Sequence, residues 1–314
     1  REDRDTLRAQ LPEVLAWAEA AVDLAKRLHT GLPPAYAHFG ETPAAMMSLI
    51  GPGGAMELYD GALRLREADG RVAVDGFEDQ RYRELIDEAV KPWTYMKFPY
   101  RRALGPEAGW YRVGPLARLQ NCDVIPTPRA EARRQAFVVA HGGRPVHAVL
   151  ATHWARMIEL LHGVEVIAQL LDDPAILGGP LQATGERQRS GAGIIEAPRG
   201  TLIHEYEVGD DDLVTSCNLI VSTTHNNQAM NEAVRSVALQ YLDGQTITEP
   251  LLNHIEVAIR AYDPCLSCAT HALGQMPLSV TLRDAHGDVL DHVLRSSTGE
   301  TQRGATPHPM ERAQ

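Results

Sequence analysis

The sequence predicts a mainly α-helical fold with small antiparallel β elements, an α+β architecture. Apolar residues recur at helical spacing between Leu11 and Leu28, and similar patterns return in the middle of the chain and near its end. At three places, short apolar segments flank turn-forming residues, which is typical of β-hairpins. We therefore expect packed helices to which small sheets are attached.

Six segments are predicted to be helical, and each shows apolar residues three and four positions apart. They are residues 4–28, 78–90, 130–140, 146–171, 228–242 and 250–262. Pro264 should end the last helix at Asp263, because the residue before a proline avoids helical geometry. An aromatic loop is expected at residues 93–100, and the helices of the middle segment should form a helical bundle core.

Three hairpins are predicted from short apolar segments on either side of a turn. They pair residues 62–65 with 72–74, residues 191–208 with 213–222, and residues 278–282 with 289–294. The middle hairpin turns at the acidic run 209–212. The polar tail from Ser296 is expected to be disordered, since it has too few apolar residues to bury.

Composition excludes several classes of protein. With 314 residues and 44% hydrophobic content, the chain can bury a sizeable core, whereas its net charge of -11 gives no basic surface for nucleic acid. No run of about twenty uncharged apolar residues exists, so a membrane span is not expected. Four cysteines are too few for a disulfide scaffold, which favours a reducing, cytoplasmic setting.

Cys265 and Cys268 are separated by two residues, so two thiolates could close on one metal ion, and His271 continues the same spacing. Alone, this motif leaves open a metal site, a thiol redox pair and incidental core cysteines. A thioredoxin-like redox pair needs a strand before it and a helix after it, whereas here a helix precedes it. A zinc site needs two further ligands, and Cys122 and Cys217 are single cysteines in unrelated contexts.

Three motifs become informative when they are taken together. DPCLSCATH at residues 263–271 accompanies EAPRG at residues 196–200 and VSTTHNN at residues 221–227. In these motifs the chain resembles the large subunit of nickel-iron hydrogenases, whose C-terminal Asp-Pro-Cys-x-x-Cys-x-x-His is highly specific. The similarity runs continuously from about Leu11. The segment ALGQMPL at residues 272–278 resembles the soluble, cytoplasmic, NAD(P)-linked group of that family.

The resemblance implies the large-subunit helical fold and a nickel-iron centre whose iron carries carbon monoxide and cyanide. Cys265 would be a terminal thiolate on nickel, and Cys268 would bridge nickel and iron. His271 and the backbone carbonyl of Leu219 would hold a magnesium or similar ion. Heterolytic splitting of dihydrogen needs metals that accept hydride and a base that takes the proton. Cys265 is the first candidate base, and Arg199 is a weaker one because guanidinium rarely gives up its proton.

The resemblance also assigns residues around the metal ligands. Arg199 would donate to one cyanide and overhang the open nickel position, while Thr223 or its neighbour Thr224 would donate to the other cyanide. Pro198 would form a wall of the same pocket. Asp263 would orient Arg199 through a charge-assisted pair.

Partner chains follow from the same resemblance. A small subunit with iron-sulfur clusters would pass electrons to NAD(P)-reducing diaphorase subunits, and a maturation endopeptidase would remove the tail. The family holds nickel with four cysteines, two of them from an N-terminal Cys-x-x-Cys that this chain lacks. We therefore expect residues 1–271 to be the C-terminal part of the large-subunit domain and residues 272–314 to be a removable extension. The chain alone should be incomplete and inactive.

Two rival interpretations remain open at this point. One is a metal-free structural relative resembling the quinone-site subunit of respiratory complex I, although the presence of Cys265, Cys268 and His271 argues against it. The other is an unrelated, zinc-stabilised helical protein. Glu159 and His162 have the spacing found in di-iron bundles, but no second such pair exists. We interpret them as a satisfied pair on the surface of a helix.

Overall fold

The computed structural model describes residues 2–78, 81–180, 182, 184–265 and 277–304. Over these residues the chain has an α+β fold with small, mainly antiparallel sheets, as predicted. The α-helices of this part are α1 (Glu2–Thr30), α2 (Tyr82–Leu85), α3 (Gly105–Ala108), α4 (Pro115–Asn121), α5 (Pro128–Ala140), α6 (Ala151–Asp172), α7 (Ser222–His225), α8 (Asn227–Tyr241) and α9 (Glu249–Ala261). Its strands are β1 (Ala45–Ile50), β2 (Ala62–Arg66), β3 (Val72–Phe77), β4 (Ile86–Val90), β5 (Lys97–Arg101), β6 (Tyr111–Arg112), β7 (Ser190–Ala197), β8 (Gly200–Val208), β9 (Val214–Ile220), β10 (Leu278–Arg283), β11 (Val289–Arg295) and β12 (Thr301–Arg303).

Helices α1, α4 and α5 pack around the long helix α6. Their shared core is centred on Trp154 of α6, whose ring meets Phe137 of α5 edge-on at 4.9 Å between centroids. Helix α1 contributes Ala18 and Val22, which lie on one face because they are four residues apart. Among the helices of the described residues, none is both long and apolar enough to cross a bilayer.

Two sheets share the second core. The four-stranded sheet has the order β3-β2-β1-β6, in which only β1 and β6 run parallel, and every residue of β1 is buried. The three-stranded sheet β7-β8-β9 places Ile194, Ile203 and Ile220 in the same core. This packing brings the turn between β7 and β8 close to β1 and β6.

Helices α8 and α9 form a third core with the sheet β10-β11-β12. Val237, Leu252 and Val293 are fully buried there. Arg295 of β11 contacts Glu256 of α9 at 2.9 Å and also pairs with Glu249. The C-terminal sheet is therefore attached to the helix that leads into the Asp-Pro-Cys motif.

The prediction of a helix at residues 78–90 was wrong. Among the residues of this range that the structure describes, Tyr82–Leu85 is the α-helical turn, and Ile86–Val90 is a strand that pairs with Lys97–Arg101. Part of the aromatic loop predicted at residues 93–100 therefore belongs to β5. Cross-strand contacts such as Ala89 with Phe98 stabilise this hairpin, and helical periodicity carries no information about them.

Two boundaries also differ from the predictions. Helix α6 begins at Ala151 rather than at Val146, because the backbone N–H and carbonyl of Val146 bond to the side-chain amide of Gln120. The tail from Ser296, expected to be disordered, includes the strand Thr301–Arg303 paired with β11. Its Arg303 contacts Asp291 at 3.0 Å, a long-range partner that composition cannot reveal.

The first core should depend strongly on Trp154. Trp154 is 1% exposed, so Trp154→Ala should lower the free energy of unfolding by about 3–5 kcal/mol through the cavity it leaves. Trp17 offers a matched control, since it is 63% exposed, and Trp17→Ala should cost no more than about 0.5 kcal/mol. Urea unfolding of both variants measures the difference, and equal losses would contradict this description of the core.

Candidate metal centre

The end of α9 delivers Asp263, Pro264 and Cys265 to the candidate site. The N–H of Asp263 donates to the carbonyl of Arg260 at 3.0 Å, and its φ of +52° lies in the left-handed region that ends many helices. Aspartate tolerates this conformation better than most residues, and Pro264 cannot continue the helical hydrogen bonds. The helix therefore stops where the Asp-Pro pair predicts.

Cys265 lies against the one-turn helix α7. Its backbone N–H donates to Oγ1 of Thr223 at 3.1 Å, across 42 residues of sequence. Thr223 is buried, so little water competes for this bond. A threonine hydroxyl can accept and donate at once, and this contact uses only its acceptor side.

Arg199 contacts the other side of the same motif. Its Nε donates to the backbone carbonyl of Asp263 at 2.5 Å, and its Nη2 lies 3.5 Å from the carboxylate Oδ1. The predicted charge-assisted pair is thus present, but the backbone carbonyl is the nearer acceptor. Both side chains remain partly exposed, which weakens the attraction between their charges.

The turn that carries Arg199 is packed tightly against the strand β6 and the residues after it. Ala197 pairs with Gly200, so Pro198 and Arg199 form a two-residue connection between β7 and β8. Gly200 has a φ of +138°, and a Cβ there would lie 2.3 Å from Val113. A side chain at this position would therefore displace the turn.

A buried ion cluster lies beside this turn. Arg118 of α4 is 2% exposed and meets both carboxylate oxygens of Glu159 at 2.7 Å, while its Nη1 meets Glu196 at 2.7 Å. Burial raises the pKa of Glu196, against the opposing influence of Arg118 and of hydrogen bonds from Thr201 and Leu49. Burial disfavours the charged form of Arg118, but the two carboxylates outweigh it and raise its pKa. The guanidinium is therefore charged.

Arg156 links α6 to the end of α9. Its Nη2 donates to the carbonyl of Ala261 at 3.0 Å, and its Nη1 lies 3.3 Å from Nδ1 of His153. Burial lowers the pKa of Arg156, and the carboxylate of Asp263 acts in the opposite direction. Helix α6 thus contacts the residues just before the Asp-Pro-Cys motif.

A run of buried polar residues extends from Ser222 to Asn227, all of them at most 6% exposed. Ser222 donates to the carbonyl of Gly200 at 2.8 Å. The Asn226 amide accepts from the backbone N–H of Val113 at 2.9 Å and donates to its carbonyl at 3.3 Å. The run therefore holds the β7–β8 turn and the end of β6 in one arrangement.

His225 is the titratable group of this run, and its side chain is buried. Its Nδ1 lies 2.6 Å from the hydroxyl of Tyr111, and its Nε2 has no partner among the described residues. Burial lowers the pKa of His225 to about 3 and raises the pKa of Tyr111 well above its usual range. Both side chains are therefore neutral near pH 7, and a bond from the Tyr111 hydroxyl leaves the imidazole proton on Nε2.

The structure brings together four of the residues predicted for the site, from three separate segments. They are Arg199, Thr223, Asp263 and Cys265. Cys268 and His271, the predicted bridging thiolate and magnesium ligand, lie outside the described residues. Their assignments stay predictions.

The remaining predicted residues lie on the same elements. Pro198 belongs to the Arg199 turn, and its carbonyl accepts from Arg118 at 3.0 Å. Thr224 is buried beside Thr223 in α7. Leu219 pairs with His204 between β9 and β8, so its carbonyl is part of an ordinary sheet segment in the described residues.

The described residues provide part of a donor set for a soft metal. Within them, no three His, Cys, Asp or Glu side chains gather closely enough to hold a metal ion. Cys265 supplies one sulfur donor of the kind that nickel and iron accept. Arg199 and Thr223 are hydrogen-bond donors next to it, suited to small anionic ligands on a metal. The chemistry fits a thiolate-held metal, which would need further ligands from outside the described residues.

Comparison with known proteins decides the family. The sequence profile of nickel-dependent hydrogenases matches residues 64–271, a range that includes all four of these site residues. The chain belongs to the nickel-dependent hydrogenase family. Membership confirms the resemblance seen in the three motifs and rules out an unrelated zinc-stabilised helical protein.

Two members of the nickel-dependent hydrogenase family show how similar this chain is to known hydrogenase subunits. The NAD-reducing hydrogenase HoxS subunit beta of Cupriavidus necator is 47% identical over 265 residues, which cover 82% of this chain and 53% of the relative. The vhc F420-non-reducing hydrogenase subunit of Methanococcus voltae is 36% identical over 303 residues, covering 93% of this chain and 62% of the relative. The chain thus spans little more than half the length of these relatives.

A solved structure supports the fold assignment within the nickel-dependent hydrogenase family. The crystal structure of an NAD+-reducing NiFe hydrogenase in the H2-reduced state matches with a TM-score of 0.83 and 55% sequence identity. The match covers 86% of this chain and 60% of that chain. The prediction of a hydrogenase large-subunit-like fold is therefore confirmed.

Sequence reasoning missed three residues that support the site. Arg118 follows the Gly-Pro pair of GPLAR at residues 114–118 on an otherwise apolar turn, where a buried arginine needs partners, so a signal was present. His225 lies inside a motif already singled out. Its partner Tyr111 is 114 residues away, and nothing local indicates their contact.

His225 should make the protein less stable in acid. Its pKa is about 3 in the folded chain against an ordinary value of 6.5, so below pH 6.5 the unfolded chain binds a proton that the folded chain refuses. The free energy of unfolding should therefore decrease from about pH 6.5 towards pH 3, by up to about 1.4 kcal/mol per pH unit from this group. His225→Gln removes that contribution.

Urea unfolding of the wild type and His225→Gln at several pH values in this window tests the expectation. Burial also lowers the pKa of His162, but that group is common to both proteins and cancels in their difference. The two stability curves should converge as the pH falls. Parallel curves would show that His225 does not titrate as described.

Proposed function

We propose that this chain is the C-terminal part of the large subunit of a nickel-iron hydrogenase, in which dihydrogen is split heterolytically and reversibly. Family membership supports the proposal. The observation that carries it is the meeting of Arg199 with Asp263 and of Thr223 with Cys265, across 64 and 42 residues of sequence. These contacts bring together the segments that carry a sulfur donor, a guanidinium and a hydroxyl, and they support the proposal.

The metal ligands follow the family motif. Cys265 would bind nickel through its thiolate, and Cys268 would supply a second thiolate to nickel and iron. His271 and the Leu219 carbonyl would hold a magnesium or similar ion. When bound, the nickel-iron centre supplies the Lewis acidity that polarises dihydrogen. The Cys265 thiolate is the base that takes the proton, and Arg199 is the second candidate.

The other site residues of this chain orient and enclose the centre. Two N–H groups of Arg199 face Asp263, and its remaining donors would serve one cyanide on iron. The hydroxyl of Thr223 accepts from the backbone N–H of Cys265 and would donate to the second cyanide, with Thr224 as the alternative donor. Pro198 forms an apolar wall that keeps water away from the reacting ligands.

Partner chains complete the proposed enzyme. The similarity to an NAD-reducing hydrogenase supports electron transfer through a small iron-sulfur subunit to NAD(P)-reducing diaphorase subunits in the cytoplasm. Residues 272–314 are an extension that a maturation endopeptidase removes. The chain needs further polypeptide to supply the remaining two cysteines, and it is inactive without it.

Elemental analysis of the complete complex, matured in its native host, tests the proposal as a whole. Nickel and iron should both be present. A complex that contains neither nickel nor iron would instead favour a structural relative like the quinone-site subunit of respiratory complex I.

Cys265 should be essential for metal retention. In the complete complex, Cys265→Ser should lose nickel and reduce hydrogen-dependent dye reduction by at least about 100-fold, because a hydroxyl is a poor ligand for a soft metal. Cys217→Ser is the control, since Cys217 is an exposed cysteine on β9. It should keep normal nickel content and activity. Full nickel occupancy in Cys265→Ser would exclude Cys265 as a ligand.

Arg199 should affect turnover without affecting metal content. Arg199→Lys keeps the charge but loses the planar set of donors, so we expect normal nickel and a rate lower by about 100- to 1000-fold. Arg260→Lys, at a side chain that is 72% exposed, is the matched control and should behave like the wild type. Unchanged turnover in Arg199→Lys would place Arg199 outside the reacting site.

A further inference from the structure

The guanidinium of Arg118 is fully used by its surroundings. Arginine has five N–H donors, and the five contacts of Arg118 engage each of them. Three go to the carboxylates of Glu159 and Glu196, at 2.7 Å each. The other two go to the backbone carbonyls of Ala197 and Pro198, at 2.9 and 3.0 Å.

These two carbonyls belong to the peptide planes on either side of Pro198. The φ and ψ torsions of Pro198 relate those two planes, and the proline ring fixes φ. Hydrogen bonds to both carbonyls therefore fix the position from which the backbone of Arg199 continues. Beyond that point, only the torsions of Arg199 itself set the direction of its side chain. The position of Arg199 is therefore determined largely by contacts that Arg118 makes.

We propose that Arg118 is a positioning residue, which holds the Pro198–Arg199 turn so that the Arg199 guanidinium meets the Asp263–Cys265 segment. The proposal rests on the function proposed above, because it gives Arg118 a role in catalysis only through Arg199. The five hydrogen bonds of the Arg118 guanidinium go to Glu159, Glu196, Ala197 and Pro198, and none of the five goes to Asp263, Thr223 or Cys265.

The carboxylates around Arg118 connect the turn to the rest of the fold. Glu196 accepts from the backbone N–H of Leu49 at 3.0 Å and from the hydroxyl of Thr201 at 2.7 Å, which ties it to β1 and β8. Glu159 lies on α6, the longest helix of the first core after α1. Arg118 therefore holds the two-residue turn in a fixed position relative to α6, β1 and β8.

Helix α6 holds both sides of the site through residues three positions apart. Glu159 holds the Arg199 turn by way of Arg118, and Arg156 donates to the carbonyl of Ala261 just before the Asp-Pro-Cys motif. Residues at this spacing lie on the same face of a helix. The distance between the Arg199 turn and the Asp263 segment is thus set by one helix face.

The test uses the complete complex and compares Arg118→Met with a matched variant, Arg134→Met. Arg134 is also a buried arginine, at 8% exposure, with a two-pronged contact to Glu131 and a bond to the backbone carbonyl of Asp123. It belongs to a different part of the first core. Its loss should affect stability but leave the site unchanged.

The first readout is amide hydrogen exchange of the segment 196–202 in protein isolated before nickel insertion. Arg118→Met should speed exchange of this segment by roughly 10- to 100-fold relative to wild type, since its carbonyl anchors are lost. Arg134→Met should leave it unchanged. This readout does not depend on the metal or on turnover.

The second readout is hydrogen-dependent dye reduction by the matured complex, with nickel content measured on the same samples. Arg118→Met should keep its nickel and lose kcat by roughly 100-fold, the effect expected of a misplacement of about 1 Å. Arg118→Lys should fall between it and the wild type, because one ammonium cannot hold both carbonyls and both carboxylates. KM for dihydrogen should change little in either variant.

Glu159→Gln covers the case in which Arg118→Met does not fold. It keeps the shape of the side chain and removes one charge from the cluster, so exchange and kcat should change in the same direction by a smaller factor. Arg118 or Glu159 variants that match Arg134→Met in both readouts would overturn the proposal. Fast exchange with unchanged kcat would instead confirm the anchoring and refute its catalytic consequence.

The two proposals can fail separately. Normal turnover in Arg199→Lys would defeat the proposed role of Arg199, and the exchange of segment 196–202 would still report whether Arg118 holds the turn. Slow turnover in Arg199→Lys, combined with normal exchange and kcat in the Arg118 variants, would defeat the positioning role alone.

Discussion

Buried charge is the constraint on which the arrangement around this site depends. Moving Arg118 and Glu196 out of water costs several kcal/mol per ion, and only complete pairing offsets that cost. The partners come from α4, α6 and β7, which are far apart in sequence. None of these elements can shift without leaving a charge unpaired in the interior. The apolar cores supply most of the stabilisation, whereas the ions restrict the fold to one relative placement of its parts.

That restriction matters because the donors of the site are small and directional. In the proposed centre, a guanidinium and a hydroxyl would serve diatomic ligands only when they are held within about 0.5 Å of the productive position. In the proposed site, such restraint would come from Arg118, which joins the Arg199 turn to Glu159 of α6, and from Ser222, which joins the Thr223 helix to the Gly200 carbonyl. Preorganisation of this kind is how an active site stabilises developing charge without moving during the reaction.

The sequence indicated the long helices, the three hairpins and the family, because each depends on local periodicity or on short motifs. It failed at residues 78–90, where cross-strand pairing outweighs helical spacing, and at the tail, where Arg303 finds a partner in Asp291. The motifs led to Arg199, Thr223 and Cys265, but they could not reveal that Arg118 and His225 support them. Those contacts join residues far apart in sequence, and one sequence contains no record of such distances.

Asp263 combines an unusual backbone conformation with a negatively charged side chain, and a substitution can separate these two properties. Its positive φ favours a short polar side chain or glycine, while its negative charge is only weakly engaged at 3.5 Å from Arg199. Its backbone carbonyl, the nearer acceptor, would be present with any residue. Asparagine at this position keeps the left-handed bend and the carbonyl and discards only the charge. It is therefore the isosteric substitution that separates electrostatics from chain geometry at the entrance to the cysteine motif.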